Sequence, residues 1–316
     1  MPFVLKIGSR PSALALAQSE LVRLRLCELL PGLESEIVPI RTSGDRMTTA
    51  SLARVGGKGL FVKELEQALL DGRADIAVHS MKDLPAVLGA DFRIATVPAR
   101  ENPRDALVSR GGVALGELPR GARLGTSSTR RRFMALRANP GLDVSALRGN
   151  VDTRLAKVEN GELDAIVIAV AGLRRLGRAA QVVFHELDER EFVPAAGQGA
   201  LAIEALSARK AGGSAEIEDA LARFDDAAAR AETAAERAFL AMIGASCVTP
   251  VGVKALAAED RLSIRAILFG LDGARALSDE IVASQAGVSE QAASALGGEL
   301  GNRMLSRGAR EFLADE

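Results

Sequence analysis

Short apolar runs alternate with amphipathic stretches along the first hundred residues of the chain. The runs 3–8, 36–40 and 74–78 predict strands, and the stretches 11–30 and 61–70 predict helices. We expect Ser9 to cap the first helix, with an apolar stripe through Leu14, Ala17, Leu21 and Leu24 that also buries Cys27. Strands that alternate with helices predict a largely parallel sheet with helices on both faces.

The same alternation begins again after a proline-containing loop at 98–103. The runs 106–108, 122–125, 144–147 and 165–170 predict strands, and helices are expected to begin near Ser128 and Asn150. Two similar α/β units in succession favour two lobes that face a cleft. The segment 192–205 contains several small residues, so we expect it to cross back to the first lobe and to act as a hinge.

A third kind of pattern follows residue 213. A predicted alanine-rich helix at 227–242 precedes three strands at 251–256, 262–269 and 276–282, and a last helix covers 290–305. This order predicts a small α+β domain with a three-stranded antiparallel sheet. The sequence therefore predicts two α/β domains and one α+β domain, with boundaries at 1–98 plus 196–213, 99–195 and 214–316.

Composition and charge exclude several classes of protein. The 316 residues have a formal net charge of −1, no Trp and no Tyr, which disfavours a nucleic-acid groove built on stacked aromatic rings. No apolar run approaches the roughly 20 residues that span a bilayer, and the N-terminus does not resemble a secretory signal. Two cysteines and two histidines favour neither a disulfide framework nor a zinc site, so we expect a cytoplasmic protein without a metal.

The turn at 125–132 is the first candidate anion site. A glycine and three hydroxyl residues, among them Thr126 and Ser128, leave a strand and open a helix, where backbone N–H groups favour an anion. Arg130 and Arg131 add guanidinium groups suited to carboxylates or phosphates. The alternative is an ordinary serine cap followed by a solvated basic turn.

A second strand-to-helix turn carries Arg148 and Arg154. Both are expected at the carboxyl edge of a sheet, where α/β proteins bind ligands. For Arg154 alone, a surface ion pair with Asp152 or Glu159 is the alternative.

Polar residues also follow two strands of the first lobe. His79, Lys82 and Asp83 follow the strand at 74–78, and Asp83 is suited to stabilise a developing positive charge or to relay a proton. His79 is more simply explained as a structural residue. After the first strand, Arg10, Ser12 and Gln18 are further candidate ligands. Lys58 lies in a glycine-rich loop that is able to cover a ligand, and the alternative is that Lys58 is simply exposed to solvent.

Cys247 lies in a segment of small residues that ends at Pro250. This neighbourhood predicts an exposed turn, and an accessible thiol favours covalent attachment of a group. Together with the remote cationic residues, it predicts a tethered, negatively charged organic molecule.

Together these motifs resemble the hydroxymethylbilane synthases, also called porphobilinogen deaminases. The matching segments occur in the family's order and cover almost the whole chain. They are IGSRPS (7–12), VHSMKDLP (78–85), GTSSTRR (125–131), LRGNVDTR (147–154), AVAGL (169–173), PAAGQGA (194–200) and Cys247 with Pro250.

The resemblance implies two domains related to periplasmic binding proteins and a third that bears the cysteine. It implies a dipyrromethane cofactor attached to Cys247 by a thioether, and a transferase of tetrapyrrole and heme biosynthesis. Such an enzyme joins four porphobilinogen molecules head to tail, releases ammonia each time and frees hydroxymethylbilane by hydrolysis. The implied partner is porphobilinogen alone, without nucleic acid or membrane, and the implied state is a monomer.

The resemblance also implies roles for individual residues. Asp83 would be the catalytic carboxylate. The implied cofactor ligands are Lys82, Asp83, Thr126, Ser128, Arg130, Arg131, Arg148 and Arg154. The implied substrate ligands are Arg10, Ser12, Gln18, Arg148, Arg154 and Arg175.

Two other classes of protein stay open on the residues alone. A solute-binding protein would share the two-lobed architecture, but the expected absence of an export signal and the lone Cys247 argue against it. A nucleic-acid-binding protein would use the cluster at 130–132, which the near-neutral charge disfavours.

Overall fold

The computed structural model describes residues 4–42, 62–207, 214–245, 249–258, 261–284 and 289–313. The strands are Val4–Ser9 (β1), Glu34–Pro39 (β2), Ile76–Ser80 (β3), Phe92–Thr96 (β4), Asp105–Ser109 (β5), Arg123–Gly125 (β6), Asp143–Ser145 (β7), Ala165–Ala169 (β8), His185–Glu186 (β9), Leu201–Leu206 (β10), Val251–Ala258 (β11), Arg261–Phe269 (β12) and Ala276–Ser284 (β13). The α-helices are Ala13–Leu29 (α1), Lys63–Leu70 (α2), Thr129–Ala138 (α3), Val151–Glu159 (α4), Val170–Arg175 (α5), Ala215–Phe224 (α6), Ala227–Ile243 (α7) and Glu290–Ser306 (α8).

Two five-stranded sheets form the two lobes. The first has the order β2-β1-β3-β10-β4, and the second has the order β7-β6-β8-β5-β9. The predicted return of the chain to the first lobe is confirmed, because β10 inserts between β3 and β4. The fold class is thus confirmed as two α/β units followed by a small α+β unit, whereas the domain boundaries stay a prediction.

The prediction of largely parallel sheets is confirmed, since four of the five strands in each sheet run in the same direction and one runs against them. In each lobe the strand that follows a crossing between lobes runs antiparallel to its neighbours: β10 beside β3 and β4, and β5 beside β8 and β9. The register gives the reason. Leu201 pairs with Ser80 and Asp105 pairs with Ala169, so each crossing strand enters at the carboxyl edge of its sheet and runs away from it.

The prediction that the stripe of leucines is the buried face of α1 is wrong. Leu21 and Leu24 are exposed, and the helix buries Gln18, Ser19, Val22 and Leu26 instead. Those residues face the first sheet and α6, so tertiary packing overrides the stripe of leucines.

The predicted N-cap of α1 and the predicted burial of Cys27 are wrong as well. Ser12, not Ser9, caps α1 and accepts from the Ala15 N–H, because β1 continues through Ser9. Cys27 is only half-buried, and its Sγ lies 3.4 Å from the Ser35 hydroxyl.

The C-terminal unit agrees with the prediction. Strands β11, β12 and β13 form an antiparallel sheet, and its buried face packs on α7 and α8 around Phe239, Val253 and Ile264. Sequence reasoning missed β4, β9, α5 and α6, and it predicted the return of the chain to the first lobe without the strand β10 itself.

Candidate functional site

A cleft with a volume of about 510 Å³ lies between the two lobes. It opens at the carboxyl ends of strands, because Arg10 directly follows β1, Lys82 lies in the 3₁₀ turn after β3, and Ala169 ends β8. Its cationic lining residues are Arg10, Lys82, Arg131, Arg154 and Arg175. Of the described residues that line it, Asp152 carries a carboxylate, which bonds to Arg178 at 2.8 Å. The cleft is therefore suited to a ligand with several negative charges.

The N-terminus of α3 carries two buried arginines. Ser128 caps this helix and accepts from the Arg131 N–H, as one alternative expected. The basic turn is not solvated, however, because Arg130 and Arg131 are buried and lie 2.7 and 2.6 Å from the Asp105 carboxylate. Thr126 is buried too, and its hydroxyl accepts from the Ser128 N–H. Thus Asp105 supplies an anion for the two arginines.

Asp105 is completely buried at the start of β5. Its burial raises the pKa, but the charges of Arg130 and Arg131 outweigh that effect and lower the pKa to about 2. The carboxylate is therefore ionised throughout the neutral range and holds both guanidinium groups in place.

Gln198 connects this ion cluster to the first lobe. Its Nε2 donates to Asp105 Oδ1 at 3.0 Å, and its Oε1 accepts from Arg131 Nη2 at 3.2 Å. The same oxygen lies 3.5 Å from Lys82 Nζ. Sequence reasoning missed the roles of Gln198 and Asp105. The small residues around Gln198 predict only a hinge. The polar Gln198 between Gly197 and Gly199 is the one local feature that indicates a further role.

Lys82 lies in the cleft next to positive charge. Its side chain is accessible from the cleft, but the surrounding walls remove much of the bulk water. This desolvation, with the charge of Arg131, lowers the pKa of Lys82 to about 8. Asp83 follows on the same turn and is exposed, and it is not among the residues that line the cavity.

His79 belongs to the interior of the first lobe. Its Nε2 lies 3.0 Å from Glu204 Oε2, and both side chains are buried. Strand alternation places it on the face of β3 opposite Ser80, which lines the cleft. The structural interpretation of His79 therefore fits its position.

The arginines of the second lobe take different positions. Arg154 donates to the Gly149 carbonyl at 2.8 Å, and Asp152 is bonded to Arg178, so the suggested surface ion pair of Arg154 with Asp152 or Glu159 is not present. Burial, followed by the charge of Arg131, lowers the pKa of Arg154. Arg148 is exposed on the preceding turn and does not line the cavity.

Arg175 ties α5 to the second crossing between the lobes. It donates to the Gly199 carbonyl at 2.6 Å. Burial lowers its pKa to about 10, against the opposing effect of Glu101. Arg175 therefore stays a cation at neutral pH while facing the cleft.

The polar residues of α1 complete the first-lobe wall. Ser12 and Gln18 both line the cavity, Ser12 as the cap of α1 and Gln18 through a 3.0 Å hydrogen bond from its Nε2 to the Ser80 hydroxyl. The structure thus brings together seven of the predicted ligands: Arg10, Ser12, Gln18, Lys82, Arg131, Arg154 and Arg175. Thr126, Ser128, Arg130, Arg148 and Asp83 lie outside the lining.

Cys247 and Lys58 lie outside the described residues. The chain on either side of the cysteine is described: α7 ends at Ile243, and β11 begins at Val251. Within the described ranges, no group of three or more His, Cys, Asp and Glu side chains is arranged to hold a metal. The helices there include none with the length and apolarity to cross a bilayer.

The residues of the cleft fit dipyrromethane. This group carries an acetate and a propionate on each ring, so it needs several cations in a space that excludes competing carboxylates. Five cationic residues line the cavity, and the carboxylate of Asp152 in the same lining is paired with Arg178, so the cleft meets that requirement.

Fold and cleft define a two-lobed α/β protein with a polyanion-binding site and an appended α+β unit. Residues 5–212 match the family described as porphobilinogen deaminase, dipyromethane cofactor binding domain, and residues 231–306 match its C-terminal domain. The chain belongs to the porphobilinogen deaminase family. It is therefore an enzyme of tetrapyrrole biosynthesis that polymerises porphobilinogen into hydroxymethylbilane and carries a dipyrromethane cofactor.

Curated relatives agree over nearly the full length. The porphobilinogen deaminase of Chromobacterium violaceum is 46% identical and aligns over 98% of this chain and 96% of its own. The enzyme of Syntrophotalea carbinolica is 43% identical, with 98% and 95% covered. Among solved structures, the periplasmic aliphatic sulphonate binding protein SsuA of Escherichia coli is 18% identical with a TM-score of 0.41, covering 76% of this chain and 70% of its own.

Proposed function

We propose that the cleft between the lobes binds the acetate and propionate groups of the cofactor and the growing chain, and that Asp83 is the catalytic carboxylate. The observation that carries this proposal is the convergence of five cationic side chains from both lobes on one cavity. Lys82 of the first lobe and Arg131 of the second both line the cavity and both lie near Gln198 Oε1, so a ligand there contacts both lobes at once.

Dipyrromethane, bound through Cys247, supplies the pyrrole carbon to which the first substrate is added. Arg10, Ser12, Gln18 and Arg175 then hold the carboxylates of the incoming porphobilinogen, and Arg148 and Arg154 serve substrate and cofactor alike. Lys82, Thr126, Ser128, Arg130 and Arg131 hold the cofactor.

The residues that we propose hold the cofactor have different roles. Arg131 lines the cavity and contacts carboxylates directly. Arg130 is occupied by Asp105 and the Val193 carbonyl, so it contributes positive charge and fixes the helix N-terminus. Thr126 and Ser128 shape the same turn through their hydroxyl groups.

Asp83 acts where positive charge develops on porphobilinogen as ammonia leaves. Its carboxylate stabilises that charge and accepts the proton that restores the pyrrole ring. Its exposure, directly beside Lys82, leaves it accessible to a substrate held in the cleft. Four such additions, head to tail, followed by hydrolysis yield the linear product, with Lys58 covering the site during the cycle.

An Asp83→Asn variant tests the catalytic role. We expect hydroxymethylbilane formation to fall at least about 100-fold, with a melting temperature close to that of the wild type because the side chain is exposed. Asp219→Asn, on the exposed face of α6, is the control. Turnover near the wild-type rate in Asp83→Asn would move the catalytic role to another residue.

Intact mass spectrometry tests the attachment site. The purified chain should exceed the mass of its sequence by two pyrrole units, and Cys247→Ser should remove that excess. Cys27→Ser is the matched control and should keep it. A mass excess that survives in Cys247→Ser would refute this attachment site.

We also propose the oligomeric state, the location and the partner of the enzyme. We expect the enzyme to act as a monomer in the cytoplasm, with porphobilinogen as its partner and without nucleic acid. A single species of about 33 kDa in sedimentation, matching the 33.1 kDa chain, is the expected result.

A further inference from the structure

We infer that Glu236 is a positioning residue: from the C-terminal unit, it fixes the second crossing between the lobes so that the buried Gln198 amide connects Lys82 of the first lobe to Arg131 and Asp105 of the second. The Glu236 carboxylate lies on α7 and is completely buried. It accepts hydrogen bonds from Arg100 Nη1 at 2.7 Å, Arg100 Nη2 at 3.0 Å, the Gly197 N–H at 2.6 Å and the Ala255 N–H at 2.8 Å. Glu236 therefore joins three parts of the molecule at one point.

Two of those parts are the segments by which the chain crosses between the lobes. Arg100 lies in the first crossing, between β4 and β5, and Gly197 lies in the second, between β9 and β10. The two segments also contact each other, because Arg100 Nε donates to the Gln198 carbonyl at 3.0 Å and the Glu101 N–H donates to the Gly199 carbonyl at 3.2 Å. Glu236 and Arg100 thus hold both crossings together.

This arrangement fixes the peptide groups on both sides of the Gln198 Cα. The Gly197 N–H is held by Glu236, and the Gln198 carbonyl is held by Arg100. Gly197 has a φ of 68°, and a Cβ there would lie 2.5 Å from Met81 Cγ, so this backbone packs directly on the turn that carries Lys82. The direction of the Gln198 side chain toward Asp105, Arg131 and Lys82 follows from that fixed backbone.

Glu232 provides a matched control. It lies one helical turn before Glu236, and its Oε2 accepts from Arg100 at 2.9 Å and from Lys254 at 2.8 Å. Its Oε1 accepts from the Ala257 N–H. It has the same charge and shares the Arg100 partner, but it does not bond to the second crossing. A merely structural role in balancing buried charge would be common to both glutamates.

A double-mutant cycle tests the inference, which deepens the proposed function because turnover is one of its readouts. We expect Glu236→Gln and Gln198→Ala each to lower kcat/KM about tenfold, and the double variant to be hardly slower than either, since both changes remove the same placement of the amide. Glu232→Gln combined with Gln198→Ala should instead give the product of the two single effects. Multiplicative losses in the Glu236 cycle would overturn the inference.

A second readout does not depend on activity. In Glu236→Gln, hydrogen exchange of the backbone amides at 196–200 should accelerate, whereas Glu232→Gln should leave it near the wild-type rate. Equal exchange in both variants would contradict the inference. If Glu236→Gln does not fold, Glu236→Asp takes its place in both measurements, because it keeps the charge and shortens the side chain that reaches the Gly197 N–H. A wild-type chain without turnover would refute the proposed function instead, and the exchange experiment would still decide this inference.

Discussion

At the scale of single residues, Lys82 has a property that ligand binding should change. Its pKa of about 8 lies below the ordinary 10.5 because of desolvation and the charge of Arg131. The folded-state pKa is lowered, so the cation is present below about pH 8 and is lost as the pH rises through that value. Carboxylate binding in the cleft should therefore weaken in mildly alkaline solution.

We predict that kcat/KM for porphobilinogen falls between pH 7.5 and 9.5 in the wild type, as Lys82 loses the charge with which it holds the cofactor. It should fall less in Lys82→Arg, because a guanidinium stays charged over that range. Initial rates at several substrate concentrations give both profiles. Identical profiles for the two proteins would show that Lys82 is not the group that titrates.

Asp105 gives a prediction at acid pH. Its carboxyl pKa is lowered from 3.8 to about 2, so its stabilisation is present above pH 4 and is lost as the pH falls through 2. That shift corresponds to about 2 kcal/mol. The Asp105→Asn variant would leave two guanidinium groups buried without their anion, at a cost of about 3–5 kcal/mol at neutral pH.

Urea unfolding at pH 7, 4 and 2 measures both effects. We expect the difference in unfolding free energy between wild type and Asp105→Asn to shrink as the pH falls from 4 to 2. A difference that is independent of pH would mean that Asp105 is not ionised in the folded protein.

The residues of the site were predictable from sequence only in part. Arg131, Arg154 and Lys82 were found because they follow strands, and strand ends of an α/β sheet meet at one edge. Asp105 and Gln198 were missed because their partners lie 25 to 116 residues away in the chain, and no local spacing encodes such pairs.

At the scale of elements, the caps of α3 and α6 should contribute equally to stability, but only the cap of α3 should also affect turnover. Ser128 caps α3 and Ser214 caps α6, with side-chain acceptors 3.3 and 3.4 Å from their N–H donors. We predict that Ser128→Ala and Ser214→Ala each lose about 1 kcal/mol of stability. Only Ser128→Ala should also reduce turnover, because its helix carries Arg130 and Arg131. Chemical denaturation and rate assays on both variants check this, and equal turnover would remove Ser128 from the site.

Helices and strands were predicted well where the local sequence alone determines them. Every predicted strand of the two lobes was found to within a few residues, and the predicted helix starts near Ser128 and Asn150 were right. The parallel direction of most strands was predictable, but the one antiparallel strand of each lobe and the buried face of α1 were not. The first depends on where the chain crosses between the lobes, and the second on what packs against the helix.

At the scale of the whole molecule, the two crossings touch at Gly199. Its φ is 88°, and a Cβ there would overlap the carbonyl oxygen of Glu101 in the other crossing. We predict that Gly199→Ala costs about 3 kcal/mol, from the left-handed backbone and the steric overlap together. Gly177→Ala is the control, since its φ of 67° is similar but a Cβ would meet open space, and about 1 kcal/mol is expected.

Denaturant midpoints of the two alanine variants measure the difference. Equal losses would show that the crossings separate easily enough to accept a methyl group between them. Such a result would also argue against a rigid contact between the two crossings at Gly199.

The position of β10 has a consequence for synthesis on the ribosome. Since this strand lies between β3 and β4, the N-terminal sheet stays divided until residue 206 has emerged, whereas the second sheet is built from the contiguous stretch 105–186. The second lobe is therefore able to complete its sheet first during translation. Until then, the nascent N-terminal hundred residues present open strand edges, and this interval is when a chaperone would have most effect.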